Sequence, residues 1–253
     1  MRTLLVTLVA LVATLVLGPM VVVARLFRVP QGPDSIYTRN VRRWARAINR
    51  AAGVRVIVHG ADGLTNAPGA VFISNHVSWF DIFALASEVP WCSFIAKSEL
   101  RRIPLFGFAA ECAGIVFLDR DNRKQAFESY KVAATEVQRG RAIIVCPEGT
   151  RGQDYHLRPF KKGPFVLAIA AQSPIIPTIV HGAREVMPKG TFRIRPGTVE
   201  LHFLSAIPTQ GLTYHDRSEL MSTVWNRMAD EMATLYGVGT AEHPIATEGE
   251  RKE

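Results

Sequence analysis

The chain has 253 residues, 48% of them hydrophobic, which is enough for one large hydrophobic core or two small ones. Its formal net charge of +8 is concentrated in residues 25–55, where eight arginines stand against one acidic residue. The rest of the chain is therefore close to neutral, so the basic character belongs to one segment and does not describe the whole protein. Three cysteines without a CxxC spacing suggest neither a disulfide framework nor a zinc site, and they fit a reducing compartment.

The N-terminal segment is predicted to be a membrane helix. Residues 4–24 contain no charged side chain, and 21 helical residues are roughly 31 Å long, about the thickness of the hydrocarbon core. Gly18-Pro19 interrupts the run, so a kinked span and a helix buried in one leaflet both remain open. A cleaved signal peptide is disfavoured because the run is too long and no small-x-small cleavage site is evident. The arginines that follow predict a cytosolic C-terminal side on the cytoplasmic membrane.

An arginine-rich amphipathic helix is predicted over residues 35–52, after a turn at residues 30–33. Its arginines fall on about a third of the circumference, and Trp44 lies on the opposite, apolar face. This pattern is typical of a helix lying in an anionic lipid interface, and a helix packed on the domain with a solvated basic face is the alternative. Residues 1–52 are interpreted as a membrane-docking helical hairpin, and the adjacent apolar run argues against a nucleic-acid partner.

Strand and helix patterns alternate from residue 53 to residue 236. This alternation predicts one α/β domain, with a largely parallel or mixed sheet flanked by helices and without an internal repeat. The polar residues 237–253 are predicted to be a flexible tail. The predicted strands are 54–59, 70–74, 93–96, 113–118, 141–146, 175–180 and 199–204, and the predicted helices are 79–88, 123–139, 164–171 and 215–235.

Polar side chains cluster where the strand at 70–74 gives way to the helix at 79–88. His76 precedes Asp81 by five residues, and on one continuous helix these side chains would point about 140° apart. The pair can meet only if His76 precedes the helix and Asp81 lies in its first turn. A histidine held by a carboxylate can remove a proton from a hydroxyl near neutral pH. The same spacing equally fits a helix cap, with Ser78 as the N-cap and Asp81 as its capping partner.

Four motifs in this chain resemble those of the glycerophospholipid acyltransferase superfamily. SNHVSWFD matches its HxxxxD signature and looks especially like the 1-acyl-sn-glycerol-3-phosphate (lysophosphatidate) acyltransferases. The other motifs follow in the family's order and spacing, and the resemblance extends over about residues 50–235. The four motifs are residues 74–81, 114–120, 147–151 (PEGTR) and 174–177, and the link formed by residues 96–100 and 103–107 also agrees.

The resemblance implies that His76 is the general base and that Asp81 orients its imidazole. The base would take the proton of an sn-2 hydroxyl, which then attacks an acyl thioester directly. A thioester is already activated, so no serine nucleophile is needed. Ser78 as the nucleophile of a hydrolase is the disfavoured alternative, because no Gly-x-Ser-x-Gly elbow surrounds it. No metal or resident cofactor is expected, and acyl-CoA or acyl-carrier protein is the implied co-substrate.

The resemblance also implies a binding site for the phosphate of the acceptor. Arg120 and Arg151 are assigned to the phosphate, which a guanidinium can hold with two parallel hydrogen bonds, and Lys97 is assigned less firmly. A surface ion pair is the alternative for each arginine. Glu148 would bind glycerol or orient an arginine, and Gly149 would allow a close backbone approach. The implied substrate-binding residues are Lys97, Arg120, Glu148, Gly149, Thr150 and Arg151.

These implications predict a membrane-surface enzyme that makes phosphatidate from lysophosphatidate. Its expected partners are an anionic lipid surface, lysophosphatidic acid, and acyl-CoA or acyl-carrier protein. The alternatives are acylation of another lysolipid, such as a lyso-ornithine lipid, and a non-catalytic membrane-binding protein. Cys146 replaces the family's usual aromatic residue before PEGT, and Gly152 replaces a common serine after it. Neither difference removes an implied catalytic group, but both change the local packing on which the preference for an acceptor depends.

Overall fold

Seven strands form one sheet in the computed structural model, which describes residues 1–65, 69–119 and 122–239. The strand order is β1-β7-β6-β2-β5-β3-β4, and neighbouring strands are parallel except for β6 and β7. The prediction of an α/β domain with a largely parallel or mixed sheet is therefore confirmed. The strands are β1 Val54–His59, β2 Val71–Ser74, β3 Cys92–Lys97, β4 Val116–Leu118, β5 Ala142–Val145, β6 Ile175–His181 and β7 Gly197–Phe203.

Helices cover both faces of the sheet. The helices are α1 Arg2–Leu26, α2 Ile36–Ala52, α3 Asp62–Thr65, α4 Trp79–Glu88, α5 Phe106–Ala113, α6 Arg123–Gln138, α7 Gly163–Ala171, α8 Ala183–Val186 and α9 Arg217–Tyr236, with 3-10 turns at Ser98–Arg102 and Tyr214–Asp216. Val71 and Ile73 of β2 pack toward α6, α7 and α9, whereas Phe72 packs toward α2 and α4. Because side chains alternate along a strand, a strand covered on both sides is apolar throughout, which explains its uninterrupted hydrophobic run.

The apolar N-terminal segment forms one continuous helix, α1, with Pro19 inside it. It is long and apolar enough to cross a membrane, and 17% of its most apolar window is buried within the protein. Leucines and valines cover its outer face, whereas Val21 and Ala24 pack against Tyr37 and Cys112. The helix therefore has one face on the domain and one wide apolar face that contacts no part of the described chain.

The apolar face of α2 does not lie at the protein surface. Ala45 and Ile48 are buried in the core, and the ring of Trp44 meets that of Phe83 edge-on at a centroid distance of 5.3 Å. The interpretation that this face lies in lipid is wrong, and the alternative of a helix packed on the domain is correct. Amphipathicity shows that a face will be buried but does not say against what.

The predicted strand at 113–118 is too long at its N-terminal end. Residues up to Ala113 belong to α5, which the sequence pattern does not predict, and only Val116–Leu118 form β4. Gly114 ends α5 with a left-handed φ of 102°, a conformation that glycine adopts without strain. The buried guanidinium of Arg141 closes the same corner by donating to the carbonyl of Ala113 at 2.9 Å. In the predicted tail, residues 240–253 lie outside the described residues.

Candidate active site

The motif residues meet because three neighbouring parallel strands end at one edge of the sheet. His76 follows β2 by two residues, Glu148 follows β5 by three, and Lys97 ends β3. Since β2 pairs with β5 and β5 pairs with β3, the carboxyl ends of these strands lie side by side. This edge is where ligands bind in open α/β sheets. Arg120 follows the next strand, β4, but it lies outside the described residues, so its role stays a prediction.

His76 and Asp81 are in direct contact. Nδ1 of His76 lies 2.8 Å from Oδ2 of Asp81, and because an ionised carboxylate only accepts, Nδ1–H is the donor. Oδ2 also accepts from the backbone N–H groups of Val77 and Ser78 at 2.7 and 2.8 Å. Asp81 is fully buried, whereas the His76 side chain is 18% exposed. The carboxylate therefore fixes the imidazole so that Nε2 is left for a ligand.

The capping interpretation is correct as well. Ser78 is the N-cap of α4, its Oγ accepts from the N–H of Phe80 at 3.2 Å, and Asp81 completes the capping box. The hydroxyl of Ser78 is itself buried and donates to the carbonyl of Met187 at 2.8 Å. A buried, donating hydroxyl cannot serve as an exposed nucleophile, which argues against the hydrolase alternative.

Glu148 is buried beside the histidine and not at the protein surface. Its Oε1 accepts from the backbone N–H of His76 at 3.0 Å, and only 7% of the residue is exposed. Burial raises the pKa of the Glu148 carboxyl to about 8, against smaller opposing effects of the His76 hydrogen bond and the charge of Arg158. This carboxyl is therefore largely protonated at pH 7, and it fixes the backbone that carries the candidate base.

Cationic side chains lie around the same edge. Arg151 and Lys97 both line the cavity described below, with the guanidinium carbon of Arg151 5.4 Å from the centre of the Trp79 ring. Gly149 has a left-handed φ of 79°, and a Cβ at this position would lie 2.9 Å from Cε of Lys161. The turn thus requires glycine. Thr150 lines the same cavity.

An apolar cavity of about 610 Å³ extends from the His76–Asp81 pair to the N-terminal hairpin. His76, Thr150 and Arg151 contribute to its lining at the sheet edge. The remaining wall is mostly apolar and comes from β3, α4, α5 and both helices of the hairpin, including Leu17, Gly18, Val41, Trp44, Phe106 and Ala109. A pocket with an apolar wall and a few polar groups at one end suits a long apolar ligand with a polar head.

Three residues around the pair have no role assigned from the sequence. Asn75 is buried and makes two hydrogen bonds with the backbone of Val180, at 2.9 and 2.7 Å, so it ties the end of β2 to β6. Trp79 lies under Arg151, and Arg158 faces Glu148. A polar residue directly after a buried strand was a usable signal for Asn75, but nothing local pointed to Arg158.

Gly152, which stands where the family commonly has a serine after PEGTR, has a structural role. Its backbone N–H donates to the carbonyl of His76 at 2.7 Å, so the PEGTR segment holds the His76 backbone from a second side. A Cβ at this position would lie 2.9 Å from the carbonyl oxygen of Asp154. A serine here would require the following turn to shift. The other departure, Cys146, lines the cavity, where an aromatic ring would occupy more of the space.

Comparison with known proteins identifies the motif-bearing part of the chain. The family model described as Acyltransferase matches residues 55–181. The chain is 34% identical over 178 residues to the human 1-acyl-sn-glycerol-3-phosphate acyltransferase alpha, a match that covers 70% of this chain and 63% of that protein. It is 35% identical over 189 residues to the 1-acyl-sn-glycerol-3-phosphate acyltransferase of Saccharomyces cerevisiae, covering 72% of this chain and 61% of that one. The chain thus spans somewhat less than two thirds of these curated relatives.

A solved structure has the same fold over nearly its whole length. The crystal structure of the 1-acyl-sn-glycerophosphate (LPA) acyltransferase PlsC from Thermotoga maritima aligns with a TM-score of 0.75 at 22% sequence identity. The alignment covers 94% of this chain and 97% of the other. At this identity the likeness concerns the fold, including its N-terminal helices, and it agrees with the α/β architecture described above.

Proposed function

Because the chain belongs to the acyltransferase family, we propose that it transfers an acyl chain from a thioester to the sn-2 hydroxyl of 1-acyl-sn-glycerol 3-phosphate, which gives phosphatidate. The observation that carries this proposal is the 2.8 Å bond between His76 and Asp81 at the polar end of a long apolar cavity. The names of the curated relatives support the choice of acceptor.

His76 is the proposed general base. Nδ1–H of His76 is donated to Asp81, which leaves the lone pair of Nε2 to take the proton of the lysolipid's sn-2 hydroxyl. As this proton leaves, the hydroxyl oxygen bonds to the carbonyl carbon of the thioester. The carbon–sulfur bond then breaks, and the thiolate leaves with the proton that His76 returns. Asp81 stabilises the imidazolium in between, as the buried acid of a catalytic triad does. The reaction needs no metal, cofactor or enzyme nucleophile.

The apolar cavity is the proposed site of the acyl chain. Its apolar wall favours hydrocarbon over water, by about 0.8 kcal/mol for each buried CH₂ group. Since His76 lies at one end of it, a chain held there presents its thioester carbonyl to the imidazole. Both acyl-CoA and acyl-carrier protein fit this arrangement, because the part of the donor that differs between them lies beyond the sulfur atom.

Arg151 and Lys97 are the proposed ligands of the acceptor phosphate, together with Arg120. Arg151 and Lys97 line the same cavity as His76, and a phosphate bound between them would meet two cations. Glu148 is less suited to contact the phosphate directly, and its proposed role is to position the backbone of His76 and the PEGTR turn.

Membrane docking is proposed through α1. Its outer face exposes large apolar side chains, including Leu4, Leu8, Leu11 and Val16, which a lipid phase would cover. The arginines of α2 then lie near the headgroups, where they favour anionic lipid. The excess of arginine after the apolar helix also favours a catalytic domain that faces the cytosol.

The deciding experiment measures acyl transfer by the purified, detergent-solubilised protein. Lysophosphatidate and other lysolipids, among them lyso-ornithine lipid and lysophosphatidylcholine, are each paired with acyl-CoA and with acyl-carrier protein. We expect phosphatidate to be the preferred product and His76→Ala, with an unchanged circular dichroism spectrum, to abolish it. Full activity of His76→Ala contradicts the mechanism, and preference for another lysolipid contradicts the acceptor. No transfer with any pair supports the non-catalytic alternative.

A further inference from the structure

A cluster of histidine, carboxylate and tyrosine side chains lies outside the candidate active site, on one face of the sheet. His59 of β1 and His202 of β7 are register partners, so their side chains point to the same face. Glu200 precedes His202 by two residues and shares that face. None of the three residues lines the apolar cavity or contacts the His76–Asp81 pair.

The donor atoms of His59, Glu200 and His202 converge. Oε2 of Glu200 lies 3.0 Å from Nε2 of His59 and 3.7 Å from Nε2 of His202, and one donor atom from each residue lies within 4.8 Å of the other two. Donors about 2.0–2.1 Å from a tetrahedral zinc ion lie about 3.3 Å apart, so the two observed distances bracket that separation. We propose that His59, Glu200 and His202 bind one divalent transition-metal ion, with Zn²⁺ as the preferred ion.

The chemistry of the donors selects this class of metal. Two imidazoles and a carboxylate suit Zn²⁺ and similar borderline ions, whereas Ca²⁺ and Mg²⁺ prefer all-oxygen sites.

Aromatic side chains hold His202 in place. The Tyr236 hydroxyl lies 2.6 Å from Nε2 of His202, and the Tyr236 ring stacks on His181 at a centroid distance of 3.6 Å. The other face of His181 is stacked on Tyr155 at 4.4 Å. The Tyr236 hydroxyl meets Nε2, the nitrogen of His202 that faces Glu200. Binding of the ion by Nε2 therefore requires the hydrogen bond between His202 and Tyr236 to break.

Coordination requires a turn of one ring. The imidazoles of His59 and His202 are stacked, with 9° between their planes and 4.3 Å between their centroids, so their in-plane lone pairs run side by side. His202 is buried, but the side chain of His59 is 46% exposed, so its ring can turn out of the stack while its Nε2 stays near Glu200. An ion bound there would cross-link the edge strand β1 to β7, at the place where α9 ends. The proposed role is therefore structural.

The test uses the full chain without a histidine tag, stripped with chelator and titrated with Zn²⁺ by calorimetry. We expect one equivalent to bind, and we expect His59→Asn and Glu200→Gln each to weaken binding by at least about tenfold. Zn²⁺ should raise the unfolding temperature of the wild type and not of these variants. Both changed positions are at least partly exposed, so the variants should fold.

The matched control is His156→Asn. His156 also pairs with a carboxylate, Asp154, at 3.3 Å and is also 46% exposed, but no second histidine is seen to join this pair within the described part of the chain. Binding should survive in this variant. The proposal is overturned if the wild type binds no stoichiometric Zn²⁺, if His59→Asn binds as tightly as the wild type, or if His156→Asn loses as much affinity as His59→Asn.

Discussion

The backbone N–H of His76 donates to Oε1 of Glu148 at 3.0 Å, so two motifs that lie 72 residues apart in the chain share a hydrogen bond. The bond joins the segment after β2 to the turn after β5. Because these strands are parallel neighbours, the position of the candidate base depends on the PEGTR turn as well as on Asp81. Glu148 thus supports the histidine while burial holds its own carboxyl in the protonated form.

A Glu148→Gln variant should change how stability depends on pH. The unfolded carboxyl ionises near 4.5, whereas the folded one keeps its proton to about 8 because it is buried. Between these values the folded state binds more protons, so the free energy of unfolding of the wild type should fall as pH rises. Glutamine does not titrate and still offers an oxygen to the His76 N–H. In Glu148→Gln, the decrease of the free energy of unfolding with pH that is due to Glu148 should therefore disappear.

Denaturant unfolding at several pH values from 5 to 8 measures this effect. The control is Glu128→Gln, since Glu128 is an exposed helical carboxylate whose side chain is 59% exposed. We expect the free energy of unfolding of this control to change with pH as it does in the wild type. Parallel profiles for wild type and Glu148→Gln would contradict the inference that Glu148 is buried in its protonated form.

Mutations at Ser78 and Asp81 should separate the capping of α4 from catalysis. Ser78→Ala removes the N-cap oxygen and should lower the free energy of unfolding by about 1 kcal/mol, with acyl transfer largely retained. Asp81→Asn leaves a similar shape but removes the carboxylate that holds His76, so turnover should fall by about 10²–10⁴-fold. Unfolding and turnover are measured on the same preparations. Equal losses of turnover in the two variants would mean that Asp81 acts only as a cap.

Arg151→Ala should weaken binding of the acceptor far more than binding of the donor. Loss of a charge-assisted contact with phosphate should raise the KM for lysophosphatidate by roughly tenfold or more, with Arg151→Lys intermediate. Initial-rate kinetics with each substrate varied in turn measure both constants. Arg139→Ala is the control, because Arg139 is 67% exposed and pairs with Glu136 on a surface helix. Equal changes in both KM values would argue against phosphate binding by Arg151.

Local features of the sequence were sufficient to predict much of this fold. The alternation of apolar runs and turns placed each strand of the sheet, and the predicted helix at 79–88 has the bounds observed for α4. The contact between His76 and Asp81 was also predictable, because both residues belong to one strand–turn–helix segment. A pair that is local in sequence needs only the right backbone geometry, which the Ser78 cap supplies.

Contacts between distant segments were not predictable in this way. The burial of the α2 apolar face depends on α4, and the wall of the cavity combines α1, α2 and α5. His59 and Glu200 lie 141 residues apart and meet only because β1 pairs with β7. The sequence accordingly predicts no metal site. Such sites depend on strand order, and the pattern of each strand alone does not contain that order.

The proposed location of the acyl chain can be tested at Gly18 of α1. Gly18 lines the cavity, and a Cβ added there would lie 3.4 Å from Cβ of Ala109 on α5, so a larger side chain must occupy space in the cavity. Gly18→Leu should therefore lower kcat/KM for long acyl donors much more than for short ones. Met20→Leu is the control on the same helix, because Met20 is 40% exposed and lies outside the cavity lining. A chain-length profile of Gly18→Leu that matches the wild type would mean that the acyl chain does not reach the space between α1 and α5.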